Sequence, residues 1–161
     1  MTSENTTSAV VITPEQLREH WQGHRTLTRR VIDAFPDDQL FTFTVGGMRP
    51  FSALAMEFLG MAVPTVRGIV TGEWSGYEEP KPTTKAEILR QWDDSTAEID
   101  RLWAQIPAHR FQETDTAFGQ YTMPVHGLIH YVIDNEVHHR GQGYVYLRAL
   151  GIEPPPFWER G

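Results

Sequence analysis

Near the C-terminal end of the chain, three polar side chains interrupt an apolar stripe. Val125, Leu128 and Val132 recur at steps of three and four, Asn135, His139 and Gln142 continue that register, and Tyr146 and Leu150 complete it. Such spacing places them along one face of a helix. Asn135 and His139, four residues apart, point the same way and can share one partner. An imidazole can ligate a metal or carry a proton near neutral pH, and an amide can donate, accept or orient a water. Buried and unpaired, each polar group would cost about 1–3 kcal/mol. Two readings stay open from spacing alone. The residues form a structural hydrogen-bond network, with or without a small helix rotation that opens them to solvent. Or they form a metal or substrate site inside a bundle, where facing helices supply the ligands.

The second reading needs a contribution from another helix. Glu57 is the one acid between Pro50 and Ile69, in an otherwise apolar stretch. His126, His130, Asp134 and His138 step by four along a neighbouring stripe, which reads as a solvated flank or a subunit contact. His138 points about 100° away from His139. His20 and His24 form a further pair, and His24 falls on an apolar face from which it could approach the site. No Gly-x-Ser-x-Gly elbow, phosphate loop or dinucleotide fingerprint occurs.

The elements that must position these residues are helices. Thr13-Pro14-Glu15 is a start signal with a hydroxyl cap and proline in the first turn. Leu17, Trp21, His24, Leu27, Val31 and Phe35 then predict an amphipathic helix to about residue 35. A connection with one short helical turn leads to a second helix over about 50–69, which Pro64 could kink. The linker TGEWSGYEEPKP is long enough for a crossover. Thr84 and Glu87 form a capping box for a third helix ending at Pro107. A loop then reaches Pro124, and a fourth helix runs to Leu150, closed by Gly151. FTFTV at 41–45 alternates like a strand but has no partner. The expected architecture is all-α, a four-helix bundle in a single domain over 1–161. Residues 1–12 form a loose arm, and the Pro-rich tail at 151–161 packs on the bundle through Phe157 and Trp158.

A net charge of −7 disfavours contact with phosphate backbones, so no nucleic-acid partner is expected. The absence of cysteine excludes disulfides and thiolate ligands. The N-terminus carries no signal-peptide pattern, and no segment reads as a membrane span of ~20 apolar residues. A cytoplasmic location fits both.

The segment NEVHHRGQ at 135–142, followed by GYVYLRALGIEPPP, resembles the C-terminal signature of the DinB-like (DinB/YfiT) superfamily, which often reads H-x-x-x-H-R-G-Q and then L-R-x-L-G-x-x-P-P. MRPFSALAME at 48–57 and RGIVTGEW at 67–74 are also similar to segments of that family. The resemblance implies a bundle with a long crossover, often a homodimer, with a divalent metal held by one His of the second helix and two of the fourth. Carried over by position, His139 matches the last ligand. Asn135 stands where the first His of that pair is expected, and Glu57, or Met56, where the second-helix His is expected. Glu136, at the edge of the core face, could replace Asn135. A Glu57/Asn135/His139 set is more oxygen-rich than three imidazoles, would take Zn, Ni, Fe or Mn, and would bind more weakly. The implied function is a metal-dependent enzyme of unassigned small-molecule substrate, a thiol-dependent S-transferase or a hydrolase. The alternative is a metal-free binding or interaction module with a polar network at the same place.

Overall fold

A computed structural model describes residues 9–161. Residues 1–8 of the expected arm lie outside the described residues. The elements in chain order are α1 (Pro14–Ala34), α2 (Asp37–Thr42), α3 (Phe51–Thr71), α4 (Lys85–Trp103), a 3-10 turn (Ala108–Gln112), β1 (Thr114–Ala117), β2 (Tyr121–Pro124) and α5 (Val125–Ala149).

The long helices are bounded by the signals in the sequence. Thr13 accepts from the Gln16 amide while the Gln16 side chain accepts from the Thr13 amide, a full capping box. At α4, Thr84 accepts from the Glu87 amide, but the Glu87 carboxylate takes the amide of Thr83 rather than that of Thr84. α5 ends in a Schellman arrangement: Ile152 N–H donates to Leu147 O and Gly151 N–H to Arg148 O, with Gly151 at φ +77°. Pro64 sits inside α3, which continues through it to Thr71.

Two apolar clusters show how the helices run. One joins Leu17 and Trp21 of α1, Ala62 to Ile69 of α3, Ile99 to Trp103 of α4, and Val125 to Ile133 of α5. The other joins Val31 and Ile32, Leu54 to Leu59, Ile88 and Trp92, and Tyr146 and Leu147. α3 and α4 therefore run parallel to each other and antiparallel to α1 and α5. A parallel pair needs a connection that travels the length of the bundle, and the linker after α3 supplies it. α3 packs between α4 and α5, and α1 packs between the same two on the opposite side.

Phe41 and Thr42 close the short helix α2, the expected helical turn of the connection between α1 and α3, and FTFTV forms no strand, as its lack of a partner required. The loop before α5 instead holds an antiparallel hairpin, Thr114 facing Pro124 and Ala117 facing Tyr121, turned through Phe118 and Gly119 at positive φ. α3 is, by length and composition, apolar enough to cross a membrane, which the sequence reading had not recognised. Yet 61% of its most apolar window is buried against the other helices, as expected for the central helix of a bundle. The tail docks through buried Pro154 and a Tyr144 Oη–H donated to Pro155 O at 2.6 Å. Phe157 and Trp158, expected to pack inward, meet each other edge to face and stay 63% and 68% exposed.

Candidate functional site

α5 is rotated from the stripe inferred above. Its buried side chains are Val125, Leu128, Ile129, Val132, Ile133, Glu136, Arg140, Gly143, Tyr146 and Leu147. The core-facing polar residues are thus Glu136 and Arg140, not Asn135 and His139. Asn135, His139 and Gln142 lie half-buried on the flank that meets α3. The small rotation weighed as an alternative is what the packing selects. Glu136, read as an edge residue, is 2% exposed. It bonds toward α1, so it takes no place beside His139 as a substitute for Asn135.

The rotation still brings the expected residues together. His139 Nε2 lies 3.4 Å from Glu57 Oε1 across the α3–α5 seam. Arg49, after the Gly46-Gly47 turn, donates from Nη1 to Glu57 Oε2 at 2.5 Å. Its carbonyl accepts from the Tyr146 hydroxyl at 2.8 Å, which ties this turn to α5. Asn135 donates from Nδ2 to Met61 Sδ at 3.2 Å. Gln142 Nε2 donates to His139 Nδ1 at 2.9 Å. Gly143 makes room for this seam: a Cβ there would stand 2.6 Å from the Phe51 ring. Met56, the alternative to Glu57, is half-buried against the apolar cluster around Phe58.

Electrostatics follow from these contacts. Partial burial pushes the Glu57 carboxyl up, but hydrogen bonds from Arg49 and Asn135 outweigh it and hold it below the usual carboxylate range. Burial holds the His139 imidazole below its ordinary value against the opposing pull of Glu57. The site at neutral pH is therefore a carboxylate, a guanidinium and a neutral imidazole.

A neutral imidazole has one acceptor nitrogen and one N–H. Gln142 uses the acceptor at Nδ1, so Nε2 carries the hydrogen and directs it at Glu57. As arranged, His139 has no lone pair free for a metal or for a substrate proton. Glu57 is already paired with Arg49, and Asn135 turns its amide nitrogen toward Met61 Sδ. Among the described residues no three His, Asp or Glu side chains gather closely enough to hold a metal ion. As arranged, with Gln142 on His139 Nδ1, His139 Nε2 facing Glu57 and Arg49 on Glu57, the set does not present three free ligands of the kind the resemblance implies.

A second polar cluster, which the stripe argument missed, lies one residue along on α5 and faces α1. Thr28 Oγ1 donates to Glu136 Oε2 at 2.7 Å, and Arg140 Nη1 donates to the His24 carbonyl at 3.1 Å. Arg25, 1% exposed, lies with its guanidinium 4.3 Å over the Trp92 ring and donates to Ser95 Oγ at 2.5 Å. Burial raises the Glu136 carboxyl, with Arg25 and Arg140 opposing. Burial also lowers Arg25, to about 10, so it stays cationic at neutral pH. The clue in the sequence was charge on the buried side of α5, at Glu136 and Arg140. His24 is buried as expected, but it meets Arg140 rather than the α3–α5 site. His130, Asp134 and His138 are exposed, as a solvated flank requires.

A model of the DinB family matches residues 1–160. The chain belongs to the DinB family. Two solved structures share its fold. One is a DinB-like protein of Bacillus subtilis, YjoA, with TM-score 0.73 and 19% identity over 90% of this chain and 98% of that one. The other is a DinB-like protein of Bacillus cereus, with TM-score 0.72 and 21% identity over 88% of this chain and 95% of that one. At these identities the likeness is one of fold. No curated protein matches the sequence. As a DinB-family bundle, the chain keeps the expected helices while its α3–α5 seam carries a Glu57/Asn135/His139 set tied up by Arg49 and Gln142.

Proposed function

We propose that this DinB-family protein is a small-molecule binding module whose α3–α5 seam works without a resident metal. The observation that supports this most directly is the Gln142 amide on His139 Nδ1, which leaves Nε2 protonated toward Glu57. An imidazole engaged at both nitrogens is neither a ready ligand nor a ready base. The half-exposed Arg49 guanidinium at the rim offers its remaining N–H donors to one incoming group. The matching ligand is a small polar molecule presenting a carboxylate or carbonyl acceptor.

The test is a pair of titrations followed by thermal denaturation and calorimetry. Zn, Ni, Fe and Mn should each give no saturable rise in melting temperature. A panel of small carboxylates and carbonyl compounds should contain one that does, and Arg49→Ala should remove its effect. A saturable metal response abolished by His139→Ala would overturn this reading in favour of the metal-dependent transferase or hydrolase. The homodimer implied by the resemblance stands as a separate proposal, read by sedimentation equilibrium.

A further inference from the structure

His24 lies between two guanidinium groups and is 5% exposed. Arg140 Nη1 and Nη2 each stand 3.2 Å from its Nδ1. Arg160 Nη1 stands 3.1 Å from its Nε2. A guanidinium only donates, and a neutral imidazole accepts at one nitrogen and donates at the other. Whichever tautomer His24 takes, one ring N–H is aimed at a guanidinium N–H. The imidazolium would make both contacts unfavourable.

Anchoring decides where the mismatch falls. Arg140 is 5% exposed and is also held by the His24 carbonyl, at 3.1 Å, and by Thr28 Oγ1, at 3.4 Å. With two donors on Nδ1, that nitrogen is the acceptor, and Nε2 carries the hydrogen. The unmatched pair is therefore His24 Nε2–H and Arg160. Arg160 belongs to the exposed end of the tail, whose backbone carbonyl lies against Gly23, where a Cβ would stand 2.9 Å away. Its side chain is the exposed partner of the contact, while His24 and Arg140 are buried.

The charges nearby are one-sided. Arg140 and Arg160 both act on His24, and the one buried carboxylate behind them, Glu136, also faces Arg25. Glu159 is paired with Arg30, and Asp134 acts on His20. Buried charge in native proteins is paired.

We propose that a small anion binds at the α1–α5 rim, received by His24 Nε2–H and the Arg160 guanidinium with Arg140 behind them. The ligand class is one with several acceptor lone pairs and a single negative group, such as phosphate, a carboxylate or chloride. Burial, reinforced by Arg140, His20 and Arg160, lowers His24 to about 4, so at neutral pH its single N–H serves as a donor. The site is separate from the α3–α5 seam and does not depend on what that seam binds.

The experiment uses the full chain with nitrogen-15-labelled histidine, titrated with sodium phosphate, sodium acetate or sodium chloride at fixed ionic strength. The expected result is a His24 Nε2–H tautomer whose ring signals move saturably with at least one of the three anions. Which anion saturates first identifies the class. Arg160→Gln, on the exposed tail, should keep the fold and weaken that binding by about tenfold, the loss of one charge-assisted hydrogen bond. An Nδ1–H tautomer, no saturable shift with any of the three, or an equal response in Arg160→Gln would overturn the proposal.

Discussion

Residues 135, 139 and 142 of α5 face α3, while residues 136 and 140 of the same helix face α1, and the two sets live in different solvents. On the α3 side Glu57 and His139 are 27% and 17% exposed, and water shares the solvation of their charges. On the α1 side Glu136 and Arg140 are 2% and 5% exposed. Neighbours in sequence differ by about 100° around a helix, and that angle separates an open seam from a buried network. Exposed ion pairs contribute little to stability. Buried pairs are expensive to break because the surviving charge has no solvent.

The sharpest way to break this comparison is to remove one carboxylate from each side. Glu136→Gln should cost about 3–5 kcal/mol, because Arg25 and Arg140 lose their buried counter-charge. Glu57→Gln should cost under about 1 kcal/mol. Urea denaturation of both variants reads the difference, and equal losses would mean that the two sides are not distinct.

The next effect is acid sensitivity of the α1 side. His24 is lowered in the folded state to about 4, from an ordinary value of 6.5. Between those values the unfolded chain binds the proton and the folded chain does not. Stability from neutral His24 is therefore complete above about pH 6.5 and falls as the pH drops toward 4, by at most about 3 kcal/mol. The difference between the native chain and His24→Gln, followed by denaturation across that range, should grow with pH. A flat difference would show that His24 does not feel its burial.

A steric lever acts on the other side alone. Gly143→Ala should overlap the Phe51 ring and cost about 1–3 kcal/mol by pushing α5 off α3. The Tyr146-to-Arg49 tie should loosen with it, and Tyr146 side-chain resonances should broaden while those of Thr28 stay sharp.

The smallest expected change in stability is the most informative about chemistry. Gln142→Glu would offer His139 Nδ1 an acceptor in place of a donor, moving the ring hydrogen to Nδ1 and freeing Nε2. Its stability should change by under about 0.5 kcal/mol, as for other partly exposed substitutions. If Gln142 is what withholds the imidazole, the variant should bind Zn or Ni measurably more tightly than the native chain in calorimetry. Unchanged affinity would mean that Arg49 and Asn135, rather than Gln142, keep metal away.

Much of the fold was legible because its signals are local. Thr13 with Gln16 and Gly151 at the end of α5 act within a turn of where they sit, and apolar steps of three and four mark the faces of α1, α3 and α4. The hairpin at 114–124 was not legible, because four-residue strands have too few alternations to stand out and their partner is supplied only by the fold. The site was half legible. Glu57 and His139 were named and do meet, but Glu136 was placed at the edge of the core face and Arg140 was passed over, because charged residues are read as solvated until their partners are known.

By itself the sequence determined the helices, their caps, the long crossover and the residue types at the α3–α5 seam. Periodicity, hydroxyl caps and chain length act on neighbouring residues and need no tertiary contact. Tertiary structure alone decided which face of α5 points inward. Apolar and polar residues are mixed all round that helix, so the packing of Gly143 on Phe51 and the demands of Arg25 and Thr28 set its rotation. That rotation buries Glu136 and Arg140 and leaves His139 at the rim, between Glu57 and Gln142.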